Sequence, residues 1–435
     1  MREPLVPAKE AGVDARSQRS ARIVIVGAGF AGVAAAQALR RCKAEVVLID
    51  RRNHHIFQPL LYQVAAAVLP PSTIAAPIRQ LVKTQKNLSV MMAEVTGVDL
   101  NSRSLEIICP IVGTRKVAFD YLVLATGMRP SYFGHDEFAK HAPGLKTLTD
   151  AETIRTKILG AYEAAEATDD PDERARQMTI VLVGGGPSGV ELAASIAIMA
   201  SITLRSNFRR IDPAKTSIIL IEHGERILPS FAESLSEKAT RRLEKLGVTV
   251  MTGTRVEHVD AEGVIAGGKR IESATVLWTA GVAPSPILRT LGVNTDHAGR
   301  VCVGPLLNIP DKPEIFVIGD AAAAMQRGRP LPGVAQVAVQ QGRYVGHFIS
   351  TVLNDRTEAR PFWYSDRGSM AVVGTNFAIL ESRRVRLGGL LAFWIWALIH
   401  IMSLPQPQNR RRLRTQWLWT YFTGQRGARL IPEDR

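Results

Sequence analysis

Two stretches of this chain repeat one another at a distance: RIVIVGAGFAGVAAAQALRRCKAEVVLIDRRN at residues 22–53, and TIVLVGGGPSGVELAASIAI at 179–198. In the first, residues 23–26 are an unbroken apolar run, as expected of a strand buried on both faces of a parallel sheet. Gly27, Gly29 and Gly32 follow in G-x-G-x-x-G spacing, 33–41 reads as a helix, and a second strand over 45–49 ends at Asp50. The first glycine permits a tight turn, the second lets backbone approach a pyrophosphate, and the third lets helix and strand pack closely. The helix N-terminus then faces the phosphate charge. Glycine spacing alone marks little more than a turn; strand, helix and terminal acid around it make a dinucleotide cradle.

The second copy has its strand at 179–183, its glycines at Gly184, Gly186 and Gly189, and a following strand at 217–221 that ends in Glu222. The longer interval before the acid leaves room for a helical excursion over 193–210. An acid at this place accepts both hydroxyls of an unphosphorylated ribose and repels a 2′-phosphate. Glu222 therefore favours NADH over NADPH, with Arg226 nearby as an opposing charge.

Three further strand-and-turn signals order the cradles. EIFVIGDAAA, 314–323, ends an apolar strand in Gly319 and Asp320; FDYLVLATG, 119–127, carries Thr126 and Gly127; TVLWTAGV, 275–282, carries Gly281. Two-dinucleotide flavoproteins close their FAD site with such a G-D turn, the aspartate bonding the ribityl chain, and use the other two as crossover strands. In this order the first cradle is the FAD site and the second the nicotinamide site. The expected fold is α/β, with two Rossmann-like dinucleotide-binding domains. The 435 residues and 46% hydrophobic content suit two or three such domains.

The chain resembles the type II NADH:quinone oxidoreductases, the single-subunit, non-pumping respiratory dehydrogenases. DRRNHHIFQPLLYQVA (50–65), SYFGHDEFAKHAPGLKTLTDA (131–151) and RRLRTQWLWTYFTGQRGARLI (411–431) carry the likeness, which runs from about 22 to 431. Thr375, after Gly374, stands where many members have a basic residue. The resemblance implies hydride transfer from NADH to FAD and two-electron reduction of a membrane quinone, ubiquinone or menaquinone. It points to Gln336 and Gln340 as acceptor-site residues, through an A-Q-x-x-x-Q signature. Their i, i+4 spacing on a helix would send both amides one way; by spacing alone they are as easily two solvated glutamines. Glu191 is a candidate for proton delivery or, more plainly, a first-turn helix acid. His54 and His55 read as structural.

Cys42, Cys109 and Cys302 lie far apart with no C-x-x-C pair, which speaks against a zinc ribbon, a dithiol relay and the cysteine-dependent acceptors of related folds. Net charge is +14, and ten arginines against two acids fall between Arg383 and Arg435. Nucleic acid is one partner for such charge, anionic lipid the other. The neighbouring GLLAFWIWALIHIMSL, 389–404, favours lipid, with a buried core helix as the bland alternative: it is rich in aromatics, flanked by arginines, interrupted by His400, and shorter than the ~20 residues a spanning helix needs. Trp394, Trp396, Trp417, Trp419 and Tyr421 suit a headgroup zone. A peripheral, monotopic protein on the cytoplasmic face of the inner or plasma membrane is expected, with room for a homodimer and no nucleic acid. The alternatives are a same-fold reductase with a soluble acceptor, or a flavin-containing interaction protein.

The expected division is a disordered tail (1–20), an FAD part (21–150), an NADH part (151–299), a second FAD part (300–345) and a C-terminal module with an amphipathic anchor (346–435).

Overall fold

The computed structural model describes residues 20–354 and 360–432, so the expected N-terminal tail lies almost wholly outside the described residues. The first unit runs β1 (Arg22–Val26), α1 (Phe30–Ala38), β2 (Glu45–Asp50), a short helix α2 (Leu61–Ala65), β3 (Leu88–Met92) and β4 (Tyr121–Leu124). The second contains α3 (Leu148–Ala167), β5 (Thr179–Val183), α4 (Pro187–Ile198), β6 (Ser217–Ile221), α5 (Glu233–Lys245), β7 (Val248–Met251) and β8 (Thr275–Trp278). The chain then returns through β9 (Asn308–Ile309), β10 (Lys312–Val317) and α6 (Ala335–Val352).

Strand order is β9-β10-β4-β1-β2-β3 in the first sheet and β7-β6-β5-β8 in the second. Both cradle strands sit inside their sheets: Ile23 pairs with Val46 and Tyr121, and Ile180 with Ile218 and Thr275, all parallel. That is why both read as continuous apolar runs. Alternate residues of the first sheet go to opposite cores: Ile23, Ile25 and Leu48 pack under α1 and α6, while Val24, Val26 and Ile49 form the core on the other side. The two links between the units run side by side, Met128–Pro130 pairing antiparallel with Val282–Pro284.

Glycines in α6 set how closely it lies on α1. A Cβ on Gly342 would stand 2.1 Å from Ala31 O, and one on Gly346 2.7 Å from Ala35 O. Facing alanines complete this seam, which carries α6 down onto the turn at Gly319.

Three boundaries differ from expectation. Residue 150 falls inside α3, whose start is fixed by a capping box between Thr147 and Asp150, and 345 falls inside α6, which runs to Val352. After α4 the helix continues only as a π-helical turn, Met199–Thr203, so the excursion expected to reach residue 210 ends early.

The C-terminal part forms an antiparallel sheet of β11 (Ser369–Val372), β12 (Ala378–Glu381) and β13 (Arg386–Gly389), followed by α7 (Leu390–Ser403) and α8 (Pro407–Thr423). It is no free-standing module. Ile379, Trp396, Leu404 and Leu413 share one buried core with Leu192 of α4 and Leu235 of α5. Asn409 Nδ2 also donates to Ala75 O at 3.0 Å, tying α8 to the first unit.

Candidate active site

The two cradles have the same build. Gly27 and Gly184 hold φ of 101° and 111°, a left-handed region that favours glycine, and their amides donate to Ile49 O at 2.7 Å and Ile221 O at 2.8 Å. A Cβ on Gly32 would lie 1.8 Å from Gly27 O, and on Gly189 1.9 Å from Gly184 O, so helix and turn touch there. At Gly29 and Gly186 nothing stands within 4 Å of a would-be Cβ. These are the faces left open for a phosphate. Asp50 accepts from the amides of Ala28 and Arg52, at 2.7 and 2.8 Å. Glu222 accepts from Gly185 N at 2.6 Å and Gly224 N at 2.7 Å. Arg226 is turned away, its two terminal nitrogens donating to Phe231 O and Pro229 O at 2.8 and 3.0 Å.

From the first cradle a cavity of about 710 Å³ runs past Gly27, Gly29 and Asp50, along Thr126 and Gly127, to Gly319 and Asp320. Its lining holds buried polar atoms with no hydrogen-bond partner in the protein: Thr126 Oγ1, Arg52 Nε and Nη1, Arg129 Nε and His54 Nε2, Arg52 Nε lying 3.8 Å from Asp50 Oδ1. The threonine and arginine donors held ready along an elongated, glycine-floored slot fit FAD, whose pyrophosphate, ribityl hydroxyls and carbonyls offer acceptors; His54, whose Nδ1 donates to Asn53 Oδ1 at 2.9 Å, presents Nε2 as an acceptor. Lys146 and Asp320 add a charge pair to the same wall. Burial pushes the Asp320 carboxyl up and the Lys146 ammonium down, and each attracts the other's charge. His55, read from the sequence as structural, is buried with its Nδ1 within 2.9 Å of Ala28 O and also lines the cavity.

One residue at this end had no clear sequence signal. Gln341, fully buried in α6, accepts Gly319 N–H at 2.6 Å on Oε1 and leaves Nε2 without a partner. Gly281, by contrast, does not line the cavity; it holds φ of 70° beneath Phe133, where a Cβ would meet Phe133 Cζ at 2.4 Å.

The cavity does not belong to the first unit alone. Ser188 and Glu191, in the first turns of α4 behind the second cradle, line it beside Leu61 and Tyr62. Glu191 is held by one hydrogen bond, Val372 N–H to Oε1 at 3.3 Å, and loss of hydration pushes its carboxyl up to about 8. A carboxyl that keeps its proton near neutrality can deliver it.

Gln336 and Gln340 stand otherwise. Neither lines the cavity. Gln336 donates to Gly368 O at 2.7 Å and accepts from Arg367 N, while Gln340 exchanges two bonds with the Ser365 backbone at 3.0 and 2.9 Å. The spacing did send both amides one way, but onto the backbone of 365–368, which needs them because it forms no sheet there. At the departing position Thr375, Arg242 from α5 donates to the carbonyl oxygen at 2.9 Å.

The C-terminal helices have two faces. Trp396, 2% exposed, and Ala392 are core, whereas Leu391, Trp394, Leu398 and Met402 are between 51% and 64% exposed. Trp419, Tyr421 and Phe422 of α8 are exposed as well, near Arg411, Arg412 and Arg414. The expected aromatic set therefore divides: Trp394, Trp419 and Tyr421 face outward, while Trp396 and Trp417 stack on each other at 5.2 Å and pack inward. His400 does not interrupt the outer face. It turns in to Trp396 O at 2.8 Å, and burial holds it neutral by pushing its pKa down to about 4. At 14 residues α7 is ~21 Å long against the ~30 Å of a hydrocarbon layer. No helix among the described residues is long and apolar enough to cross a membrane.

Twin cradles, one of which floors a long cavity that the other's helix enters, define a two-dinucleotide flavoprotein; residues 21–342 match the pyridine nucleotide-disulphide oxidoreductase family. The three cysteines are free, and none lines the cavity, so the disulfide chemistry in that family's description has no residues here. The chain is 39% identical to the type II NADH:quinone oxidoreductase Ndh of Mycobacterium tuberculosis, over 97% of its own length and 92% of that protein's. It belongs to the type II NADH:quinone oxidoreductases. In fold it is similar to NDH2 from Plasmodium falciparum in complex with NADH, at a TM-score of 0.86 and 20% identity over 95% of this chain and all of that one. A lesser likeness, TM-score 0.70 at 16% identity over 93% and 95% of the two chains, is to the sulfide:quinone oxidoreductase of Aquifex aeolicus.

Proposed function

We propose that this protein oxidises NADH and reduces a membrane quinone through FAD, at one cavity reached from both dinucleotide cradles. The observation that carries the reading is the entry of α4, the nicotinamide-cradle helix, into the cavity floored by the flavin cradle. FAD supplies the redox chemistry, accepting a hydride and passing on two electrons. The residues that would hold it are Gly27, Gly29, Gly32 and Asp50 at the adenosine and pyrophosphate end, with Thr126, Gly127, Gly319 and Asp320 further along. Gly184, Gly186, Gly189 and Glu222 would hold NADH. Closing both substrates into one slot would bring the reacting atoms together and limit water's access to the transfer. Glu191 would supply the proton that quinol formation needs.

The exposed face of α7 and α8 is the surface by which the protein rests on a bilayer, apolar side chains entering and arginines meeting anionic headgroups. The cytoplasmic face of the inner or plasma membrane is the side that offers NADH. A homodimer would place two such faces on one bilayer and bind it more tightly than either alone. The division of labour follows 21–150 with 300–345 for FAD, 151–299 for NADH and 346–435 for the membrane, with edges moved to the ends of α3 and α6.

The test is anaerobic. Purified protein should bleach its flavin spectrum on addition of NADH and recover it on addition of a quinone but not of a soluble disulfide. A flavin that NADH fails to reduce, or that quinones fail to reoxidise, removes the reading.

A further inference from the structure

Five side chains from three distant stretches of the sequence, Tyr62 with Gln63, Glu191, and Trp417 with Arg426, gather at the Tyr62 end of the cavity. Trp417 Nε1 donates to Gln63 Oε1 at 2.8 Å, and Gln63 Nε2 donates to the Tyr62 hydroxyl at 2.9 Å. Tyr62 is buried yet lines the cavity, as does Glu191, whose charge acts on it. Arg426, from the segment after α8, is 3% exposed and is held by a bond from Nη1 to Ala66 O at 2.8 Å. The same segment is pinned a second time, Thr203 Oγ1 donating to Gly424 O at 3.0 Å.

The order of donors fixes a direction. An indole nitrogen can only donate, so the Gln63 atom facing Trp417 is its oxygen. The amide nitrogen therefore faces Tyr62, and since it too can only donate, the tyrosine oxygen accepts. Tyr62 is left with a proton that cannot return to Gln63. We propose that Trp417 and Gln63 are positioning residues that aim the Tyr62 O–H into the acceptor end of the cavity, so that helix α8, half of the membrane face, sets the geometry of quinone reduction. The proposal rests on the reading of the Tyr62–Glu191 end as the acceptor end.

The step it serves balances as follows. NADH supplies a hydride equivalent by the family's reaction, and quinol formation needs one proton more. That proton leaves Glu191: its carboxyl O–H breaks as an O–H forms on a quinone oxygen, to which Tyr62 donates a hydrogen bond. Solvent then returns a proton to Glu191. The charged and titratable groups facing Tyr62 are Glu191 from α4 and Arg426 from the C-terminal segment. The first opposes tyrosine ionisation and the second favours it; with burial added, the hydroxyl stays protonated and remains a donor.

The experiment uses the full-length holoprotein, stopped flow, and a short-chain water-soluble quinone that needs no membrane. Trp417→Phe keeps a ring and removes the donor, freeing the Gln63 amide to turn over and capture the Tyr62 proton. Reoxidation of the NADH-reduced flavin should slow by roughly three- to tenfold, the value of one directed hydrogen bond. Its pH profile should shift, and the effect should vanish in a Tyr62→Phe background. Gln63→Glu keeps an acceptor for the indole but presents a second carboxylate oxygen to Tyr62; it should reproduce the loss even if Trp417→Phe folds poorly. Wild-type reoxidation rates and pH profiles in Trp417→Phe and Gln63→Glu would overturn the proposal. Additive effects with Tyr62→Phe, or equal slowing of flavin reduction by NADH, would do the same. Glu191→Gln reports separately on the underlying reading: if it reoxidises at the wild-type rate, that end is not the acceptor end, and both fall together.

Discussion

Asp50 and Glu222 occupy equivalent positions in the two cradles and make the same bond: each takes the amide N–H of the residue that follows the first cradle glycine, Ala28 at 2.7 Å and Gly185 at 2.6 Å. The acid thus latches the turn at the place where a bound ribose would lie. A carboxylate oxygen has lone pairs for the turn and for that ribose. Loss of the acid would loosen the phosphate turn, so the informative substitution is one that keeps an acceptor.

Glu222→Gln is that substitution. An amide oxygen can still take the Gly185 N–H, while the negative charge that opposes a 2′-phosphate is gone. The ratio of kcat/KM for NADH over NADPH should be well above one in the wild type and should narrow by about tenfold in the variant, ~1.4 kcal/mol. Because Arg226 is committed to backbone carbonyls, it should not let NADPH compete in the wild type. Equal use of both nucleotides by the wild type would contradict this.

Two glycines of the nicotinamide cradle should fail in different ways. Gly186→Ala adds a methyl into open space where a phosphate would sit, so KM for NADH should rise while Tm holds. Gly189→Ala drives a methyl to 1.9 Å from Gly184 O, forcing helix and turn apart. It should lower Tm as well as NADH binding. Thermal scans of the two variants beside NADH titrations separate them.

Glu191 carries a pH signature in two measurements. Its folded value of about 8 lies above the 4.5 of an unperturbed carboxyl, so between these values the folded state binds more protons than the unfolded one. Stability contributed by this group therefore falls as pH rises through that window. Glu191→Gln should gain in Tm relative to wild type at pH 8.5 compared with pH 5. Quinone reduction by the wild type should decline above about pH 8, as the proton donor empties, and the variant should lack that limb.

Membrane attachment is testable without removing any backbone. The triple variant Leu391→Ser, Trp394→Ser and Leu398→Ser alters only the outward face of α7. Binding to anionic vesicles should fall by more than tenfold, with Tm and activity toward a soluble quinone retained. Salt should weaken wild-type binding without abolishing it, since apolar burial is not screened. Trp396→Ser, two residues from Trp394 but buried, should instead cost ~3–5 kcal/mol of stability.

The cradles were legible because everything that defines them is local: an apolar run, glycines at fixed offsets and an acid at the end of the next strand. Asp320 and Thr126 were legible for the same reason. The side chains that finish the cavity were not. Gln63 and Trp417 lie 354 positions apart, and nothing in either neighbourhood tells that they bond. Gln341 sits next to Gln340 in sequence, but the ~100° step between neighbours on a helix sends one into the core at Gly319 and the other to the Ser365 backbone. The run over 389–404 was correctly read as too short to span, yet it is apolar all round, so its pattern could not tell the core-facing tryptophan from the outward one.

Trp396 and Trp394, two residues apart on α7, belong to different solvents, one to the protein interior and one to the outside. A chain cut at Gly388 would therefore not be a soluble form of the enzyme: the cut strips the lid from the core beneath α4 and α5 and releases Gln63. Because α7 and α8 share one buried core with α4 and α5, a bilayer bound on their outer face as proposed would meet the cavity at a single fixed tilt. On that proposal, any rearrangement of α7 or α8 as lipid is taken up or stripped away would be felt at Tyr62 through Trp417 and Gln63, and the surrounding lipid would become, in effect, a co-determinant of turnover.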